Sequence, residues 1–126
     1  MKIIVVANVK QQKEILLKST NRDVEITFVT KFSGEESKNY CDAIFYLHEN
    51  ENMDINSFPD KPIFINSVIK TLEENNLPGN FSRINGWPEF LKRSTWEIAA
   101  GNINMAGTVF ERMGWKPVFV KDEPGF

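Results

Sequence analysis

The feature that most constrains the fold is residues 2–7, KIIVVA: one lysine, then four β-branched side chains in a row with no polar residue between them. A half-buried strand alternates apolar and polar residues. A strand apolar at every position fits only where both of its faces are covered, as in the centre of a parallel sheet. Three further short runs read as strands: residues 24–29 (VEITFV), 43–47 (AIFYL) and 62–65 (PIFI). Pro62 fits because the first residue of a strand owes no ladder bond. Between the runs lie segments of a different kind. Residues 10–19 (KQQKEILLKS) predict a helix with Ile15, Leu16 and Leu17 inward and a wholly polar first turn, an end expected to lie open. Residues 31–40 and 48–60 are polar and read as loops or short frayed helices. Asn66 or Ser67 is placed to cap a helix carrying Val68, Ile69 and Leu72, which stops before Leu77-Pro78-Gly79. Short apolar strands alternating with helical segments predict an α/β chain with a mostly parallel sheet covered on both faces.

The second half keeps that grammar. Residues 81–85 (FSRIN) and 95–100 (TWEIAA) read as two strands around a polar break at Gly86-Trp87-Pro88. Asn102 is placed to cap a helix with Ile103, Ala106, Val109 or Phe110, and Met113 on one face, and Gly114 supplies a left-handed stop. Residues 116–120 (KPVFV) form a last strand. Parallel sheets bind ligands outside the carboxyl ends of their strands. Here those ends are residues 8–12, 30–32, 48–50, 66–67 and 85–88, a site expectation that rests on geometry alone.

Bulk properties exclude several classes. A chain of 126 residues fits one domain. With a net charge of −2 it has no basic field to recruit nucleic acid or an acidic membrane. Its longest apolar run is too short to span a bilayer. One histidine, one cysteine and scattered acids make no metal-ligand set, so no metal is expected. The lone Cys41 fits a reducing, cytoplasmic setting. Trp87, Trp96 and Trp115 read as core or interface residues before they read as stacking platforms.

A family resemblance rests on four segments. The closing GWKPVFVKDEPGF resembles the end of the N-terminal domain of 3-hydroxyacyl-CoA dehydrogenases, where a K-x-P-V-x-V strand leads into D-x-P-G-F; Asp122, Pro124, Gly125 and Phe126 fit without a gap. RINGWPEFLKRSTWEIAAG is similar to the family's G-L-H-F-F-N-P-V-P-x-M-K-L-V-E-V segment, with Glu97 on its glutamate. PIFINSVIKTLEE resembles the family's strand and following S-N-T-S-S-L turn, and CDAIFYL stands where the family has D-L-V-x-E-A. The resemblance implies a Rossmann-like three-layer sandwich over residues 1–121, with residues 122–126 opening a helical C-terminal domain. It further implies NAD or NADP as cofactor and an acyl-CoA ligand. The partner is then that helical domain, or a second copy meeting the last helix and strand through Trp115, Val118, Phe119 and Phe126.

The departures from the family pattern shape the functional expectation. The G-x-G-x-x-G fingerprint, whose glycines let the backbone approach a pyrophosphate, is replaced by residues 7–12, ANVKQQ. The cofactor-binding positions implied are therefore Asn8, Val9 and Lys10, with Thr30 and Lys31 where an acidic ribose ligand normally follows the second strand. His48 joins them after the third strand, near the ligand edge. Lys10 or Lys31 offers a cation to a phosphate, as in NADP; each also reads as a solvated surface lysine. The catalytic positions implied are Glu97, Asn85 and Ser67. Asn85 stands where the family places its acid/base histidine, and a carboxamide donates a hydrogen bond but takes no proton at neutral pH. Ser67 also reads as a helix cap, and Glu97 as an ion-pair partner of Arg83 or Lys92. The expected function is a 3-hydroxyacyl-CoA dehydrogenase-like oxidoreductase, seen as its nucleotide-binding domain only, with activity of this chain left open. The alternative is a non-catalytic Rossmann-like module whose dinucleotide site is lost.

Overall fold

The computed structural model describes residues 1–18, 23–32, 41–48, 58–66, 72, 77–84 and 95–123. Seven strands form one sheet: β1 (Lys2–Val6), β2 (Glu25–Val29), β3 (Ala43–Tyr46), β4 (Ile63–Asn66), β5 (Phe81–Ile84), β6 (Thr95–Ala100) and β7 (Lys116–Phe119). Their spatial order is β2-β1-β3-β4-β5-β6-β7. Strands β1 to β5 run parallel. β6 returns antiparallel to β5, with Ser82 opposite Ala100 and Ile84 opposite Ile98, and β7 lies parallel to β6. The fold is α/β, of the Rossmann-like type and mostly parallel. The uninterrupted apolar runs are explained by their positions: β3 and β4 are buried at every residue, and β1 at every residue after Lys2.

One face of the sheet is covered by helices α1 (Val9–Lys18) and α2 (Ile103–Met113). α2 forms as its spacing predicts. Ala106, Val109, Phe110 and Met113 are buried, an i, i+3, i+4, i+7 stripe. The Asn102 side chain accepts from the Met105 amide at 3.1 Å, and Gly114 closes the helix at φ 76°. The stripe meets an aromatic cluster. Phe110 lies 5.1 Å from Phe64 and 5.6 Å from both Phe45 and Trp96, and Trp96 and Trp115 stack at 4.6 Å. Each fully buried ring of this kind contributes about 1.5–3 kcal/mol through desolvation.

Two expectations fail on this face. Leu16 is 58% exposed while Ile15 is wholly buried. Neighbouring helical residues point about 100° apart, and α1 rests on the sheet too narrowly to bury both. Trp115 does not belong to an open face, since it is 7% exposed in the core cluster. The turn at Gly114 tucks it under α2 before β7 begins. Val118 and Phe119 are exposed, as expected. Phe119 lies over Gly107, its ring 3.6 Å from where a β-carbon would stand.

On the opposite face, Phe32, Phe58, Leu72 and Leu77 pack on Ile4, Val6, Ile44, Tyr46, Ile63, Ile65 and Phe81. The residues expected to form a helix after β4, apart from Leu72, lie outside the described residues. Arg83 shares this face with Phe81 by strand alternation and is wholly buried. Its Nη1 lies 2.6 Å from Asp122 Oδ1 and donates to the Glu123 carbonyl at 3.3 Å. Asp122 also accepts from the Leu72 amide, at 2.9 Å through Oδ2 and 3.1 Å through Oδ1. The segment after β7 is thereby folded back across the face and fastened beneath β5. At the start of β5 the backbones approach closely: a β-carbon on Gly101 would sit 2.5 Å from the Gly79 carbonyl oxygen and 2.7 Å from that of Phe81.

The edge of β7 carries a built-in stop. The Val120 amide donates to the Ile98 carbonyl. In a parallel ladder alternate residues turn their amides to the neighbour, so Lys116, Val118 and Val120 face β6. Pro117 and Phe119 therefore face outward, and Pro117 has no N–H to offer there.

Candidate functional site

The chain passes from β1 to β2 in one direction and then jumps back to place β3 on the other side of β1. That reversal makes the carboxyl ends of β1 and β3 the topological switch point, the position where doubly wound sheets hold their ligands. Of the expected site residues, the structure brings Asn8, Val9, Lys10, Thr30 and His48 to this edge, with Lys31 immediately beyond Thr30.

Their interactions centre on the first turn of α1. The Asn8 side chain accepts from the Gln11 amide at 2.9 Å, and the Gln11 Oε1 accepts from the Asn8 amide at 3.0 Å. This is a reciprocal capping box. The turn still lies open to solvent, as its polarity predicts, with Asn8, Val9 and Lys10 exposed. The Gln11 carboxamide reaches on to donate to the Leu47 carbonyl at 3.3 Å, tying α1 to the end of β3. Gln12 Nε2 donates to the Ala7 carbonyl at 2.9 Å. Asn66, at the end of β4 and 8% exposed, donates its Nδ2 hydrogen to the same Leu47 carbonyl at 3.2 Å.

His48 makes the remaining tie. Its Nε2 donates to the Thr30 carbonyl at 2.5 Å, which fixes the proton on that nitrogen because a carbonyl only accepts. Thr30 follows β2 and His48 follows β3, while β1 lies between them. The imidazole thus spans the end of β1, braced by an edge-on contact with Tyr46 at 5.7 Å. Val9 and Lys10 on α1 and Lys31 are exposed at the rim. Both lysines therefore stand in solvent at this edge of the sheet.

Glu97 is half-buried on β6. Alternation with Trp96 and Ile98 sets it on the sheet face that carries Arg83. It lies at the carboxyl-end level of β5 but three strands from β3, roughly 14 Å at the usual strand spacing. The other two expected catalytic residues, Asn85 and Ser67, lie outside the described residues. For Arg83, an expected ion-pair partner of Glu97, the structure shows a carboxylate partner in Asp122.

Sequence reading placed Gln11 and Gln12 on the ligand edge without giving them a role. The signal was present: Asn8-x-x-Gln11 is capping-box spacing at the start of a helical run. No such pattern announces the long-range ties from Gln11 and Asn66 to Leu47, or the pairing of Arg83 with Asp122.

A parallel sheet reversed at β1 and β3 and extended by an antiparallel strand defines the fold class: a Rossmann-like α/β sheet. Among solved structures, the chain is similar to the 3-hydroxyacyl-CoA dehydrogenase of Archaeoglobus fulgidus, with a TM-score of 0.67 and 14% sequence identity over 98% of this chain and 57% of that one. The likeness is one of fold, and the chain spans a little over half the length of that enzyme. No protein-family model and no curated protein matches the sequence. No described helix is long and apolar enough to cross a membrane.

The amides of Asn8 and Gln11 at the start of α1 are engaged by the chain's own side chains. The Gln11 carboxamide also reaches across to β3.

Proposed function

We propose that the chain is a dehydrogenase-like nucleotide-binding domain whose ligand lies along the carboxyl ends of β1, β3 and β4. The finer reading is a domain of a 3-hydroxyacyl-CoA dehydrogenase-like oxidoreductase, with NAD or NADP as cofactor and an acyl-CoA as substrate. The observation that carries it is the sheet itself: reversal at β1/β3, antiparallel return at β6, and overlap with a dehydrogenase over 98% of the chain. In this reading Asn8, Val9, Lys10, Thr30, Lys31 and His48 border the nucleotide. Lys10 and Lys31 supply the phosphate charge that glycine-lined amides supply elsewhere. A nicotinamide cofactor, when bound, supplies the hydride acceptor. Glu97 has a supporting role, Asn85 donates a hydrogen bond to a substrate carbonyl, and Ser67 lines the turn after β4. Without a histidine at position 85 the chain lacks the family's proton carrier, so catalysis by this chain alone is not part of the proposal. The partner is a helical domain, or a second copy, meeting Val118 and Phe119.

The Asn8–Gln11 box favours a second reading, a non-catalytic module with a closed nucleotide site. Calorimetric titration with NAD(H), NADP(H) and an acyl-CoA separates the two. A ligand at 100 times its Kd raises unfolding free energy by about 2.7 kcal/mol, so a thermal shift should accompany any heat of binding. If none of these ligands gives either signal, the first reading is abandoned for the second.

A further inference from the structure

The parallel strands gather a second set of side chains at the end of the sheet away from the switch point. Met1 precedes β1, Asp42 precedes β3 and Pro62 precedes β4, so all three stand at amino ends. α2 faces them with Met105, Val109 and Arg112. Between the helix and the strand ends lies a groove of about 420 Å³, within the range of roughly 300–1,000 Å³ usual for small-molecule sites. We propose that this groove binds a small zwitterion with an apolar body, of the free α-amino acid class. The proposal stands apart from the nucleotide reading and does not depend on it.

The lining fits such a molecule in two ways. Its floor is apolar: Val109 is 4% exposed and belongs, with half-buried Met1, to the core cluster beneath α2. Met105 and Pro62 are half-buried too. Thioether side chains adapt to apolar groups of varied shape. The charges come from different walls. Asp42 belongs to the strand ends and is pinned there. Its amide donates to the Lys2 carbonyl at 2.7 Å, and its Oδ2 accepts from the Lys2 amide at 2.7 Å. The carboxylate is thus held in place before any ligand arrives, which lowers the ordering cost of binding. Arg112 stands exposed in the last turn of α2, with a planar guanidinium that matches a carboxylate. The terminal ammonium of Met1 is engaged with the Asp23 carbonyl at 2.9 Å.

The pairing of signs selects the ligand class. A simple carboxylate gains from Arg112 but meets the charge of Asp42. A simple amine gains from Asp42 but meets Arg112. Each is penalised by the wall it does not match. A molecule with both charges sets its ammonium toward Asp42 and its carboxylate toward Arg112, and its aliphatic side chain covers Met105 and Val109.

The test is calorimetric titration with two apolar amino acids, L-leucine and L-methionine, and with two leucine analogues. Isocaproate lacks the ammonium and isoamylamine lacks the carboxylate. Leucine should bind at least tenfold more tightly than either analogue. Arg112→Gln should weaken leucine binding at least tenfold. Thr108, which also lines the groove, is exposed and returns its hydroxyl to the Asn104 carbonyl at 2.9 Å. Thr108→Phe should therefore keep the fold, obstruct the groove and cause a similar loss. Urea curves establish which variants are folded, and either one carries the test if the other is not. Leucine binding that the folded variants retain overturns the site. No saturable heat from either amino acid overturns the proposal outright. An analogue that binds as tightly as leucine overturns the zwitterion assignment. None of these outcomes touches nucleotide binding at the switch point, which the NAD(H) titration reads separately.

Discussion

Removing the Asp122 carboxylate should cost this protein a large share of its stability, although residue 122 lies beyond the last strand. Asp122 accepts a charged hydrogen bond from Arg83 at 2.6 Å and another from the Leu72 amide. The arginine is wholly buried, while the aspartate side chain keeps 29% of its surface in water. A hydrogen bond involving an ionised group contributes about 1.5–3 kcal/mol net. Two such bonds would give up to about 6 kcal/mol, but the exposure of the aspartate lets solvent replace part of each. The Glu123 carbonyl also stays beside Arg83. The expected loss for Asp122→Ala is therefore about 3 kcal/mol. Asp122→Asn keeps one oxygen acceptor and should lose about half as much. Urea unfolding followed by tryptophan fluorescence reads both, since Trp96 and Trp115 are buried in the core. The comparison requires an unchanged m-value, so that the midpoint shift reports stability alone. Asp122→Ala within 1 kcal/mol of wild type would refute the reasoning. An Asn variant as damaged as the Ala variant would show that charge, rather than the number of acceptors, holds the segment down.

Other substitutions test neighbouring claims. Gly101→Ala forces a β-carbon against two backbone carbonyl oxygens, and should lower stability by about 1–3 kcal/mol in the same urea assay. Gly107→Ala, in mid-helix and within ordinary contact of Phe119, should instead raise it by about 0.5–1 kcal/mol. Burial raises the Cys41 thiol pKa, with Lys61 lowering it and Asp42 raising it less strongly. The folded pKa exceeds the unfolded value of about 8.5, so this contribution to stability is complete below that pH and lost as pH rises through the folded value. Urea midpoints from pH 7 to 10 should fall more for wild type than for Cys41→Ala, and a thiol reagent should label Cys41 only as the chain unfolds. Phe119→Ser should reduce concentration-dependent association in sedimentation if Val118 and Phe119 form the partner-facing surface; unchanged association would place the contact elsewhere.

Much of the architecture was legible because it depends on local pattern. The apolar runs around Val5, Phe45 and Phe64 announced buried strands, and Asn102 and Gly114 marked the ends of α2 to the residue. The direction of β6 was not written locally, nor was the order of the strands, because both depend on which edges meet after collapse. Leu16 and Trp115 were misjudged for a related reason: periodicity identifies an apolar side chain, but the width of the contact decides whether it is covered. At the site, the missing glycines were plain from the sequence. What replaced them was harder to see, since the Gln11 side chain takes one partner three residues away and another thirty-six residues away. Only the first distance leaves a trace in spacing.

The proline at position 117 makes the sheet directional. With no amide at residue 117 to offer outward from β7, a further strand meeting that edge would find a gap in its ladder there. β2 forms the opposite edge of the described sheet and contains no proline. Templated growth is thus left to one side. An added strand, a misfolding neighbour or an exchanged segment should all arrive beside β2, where Glu25 and Thr27 are the side chains they would first have to accommodate.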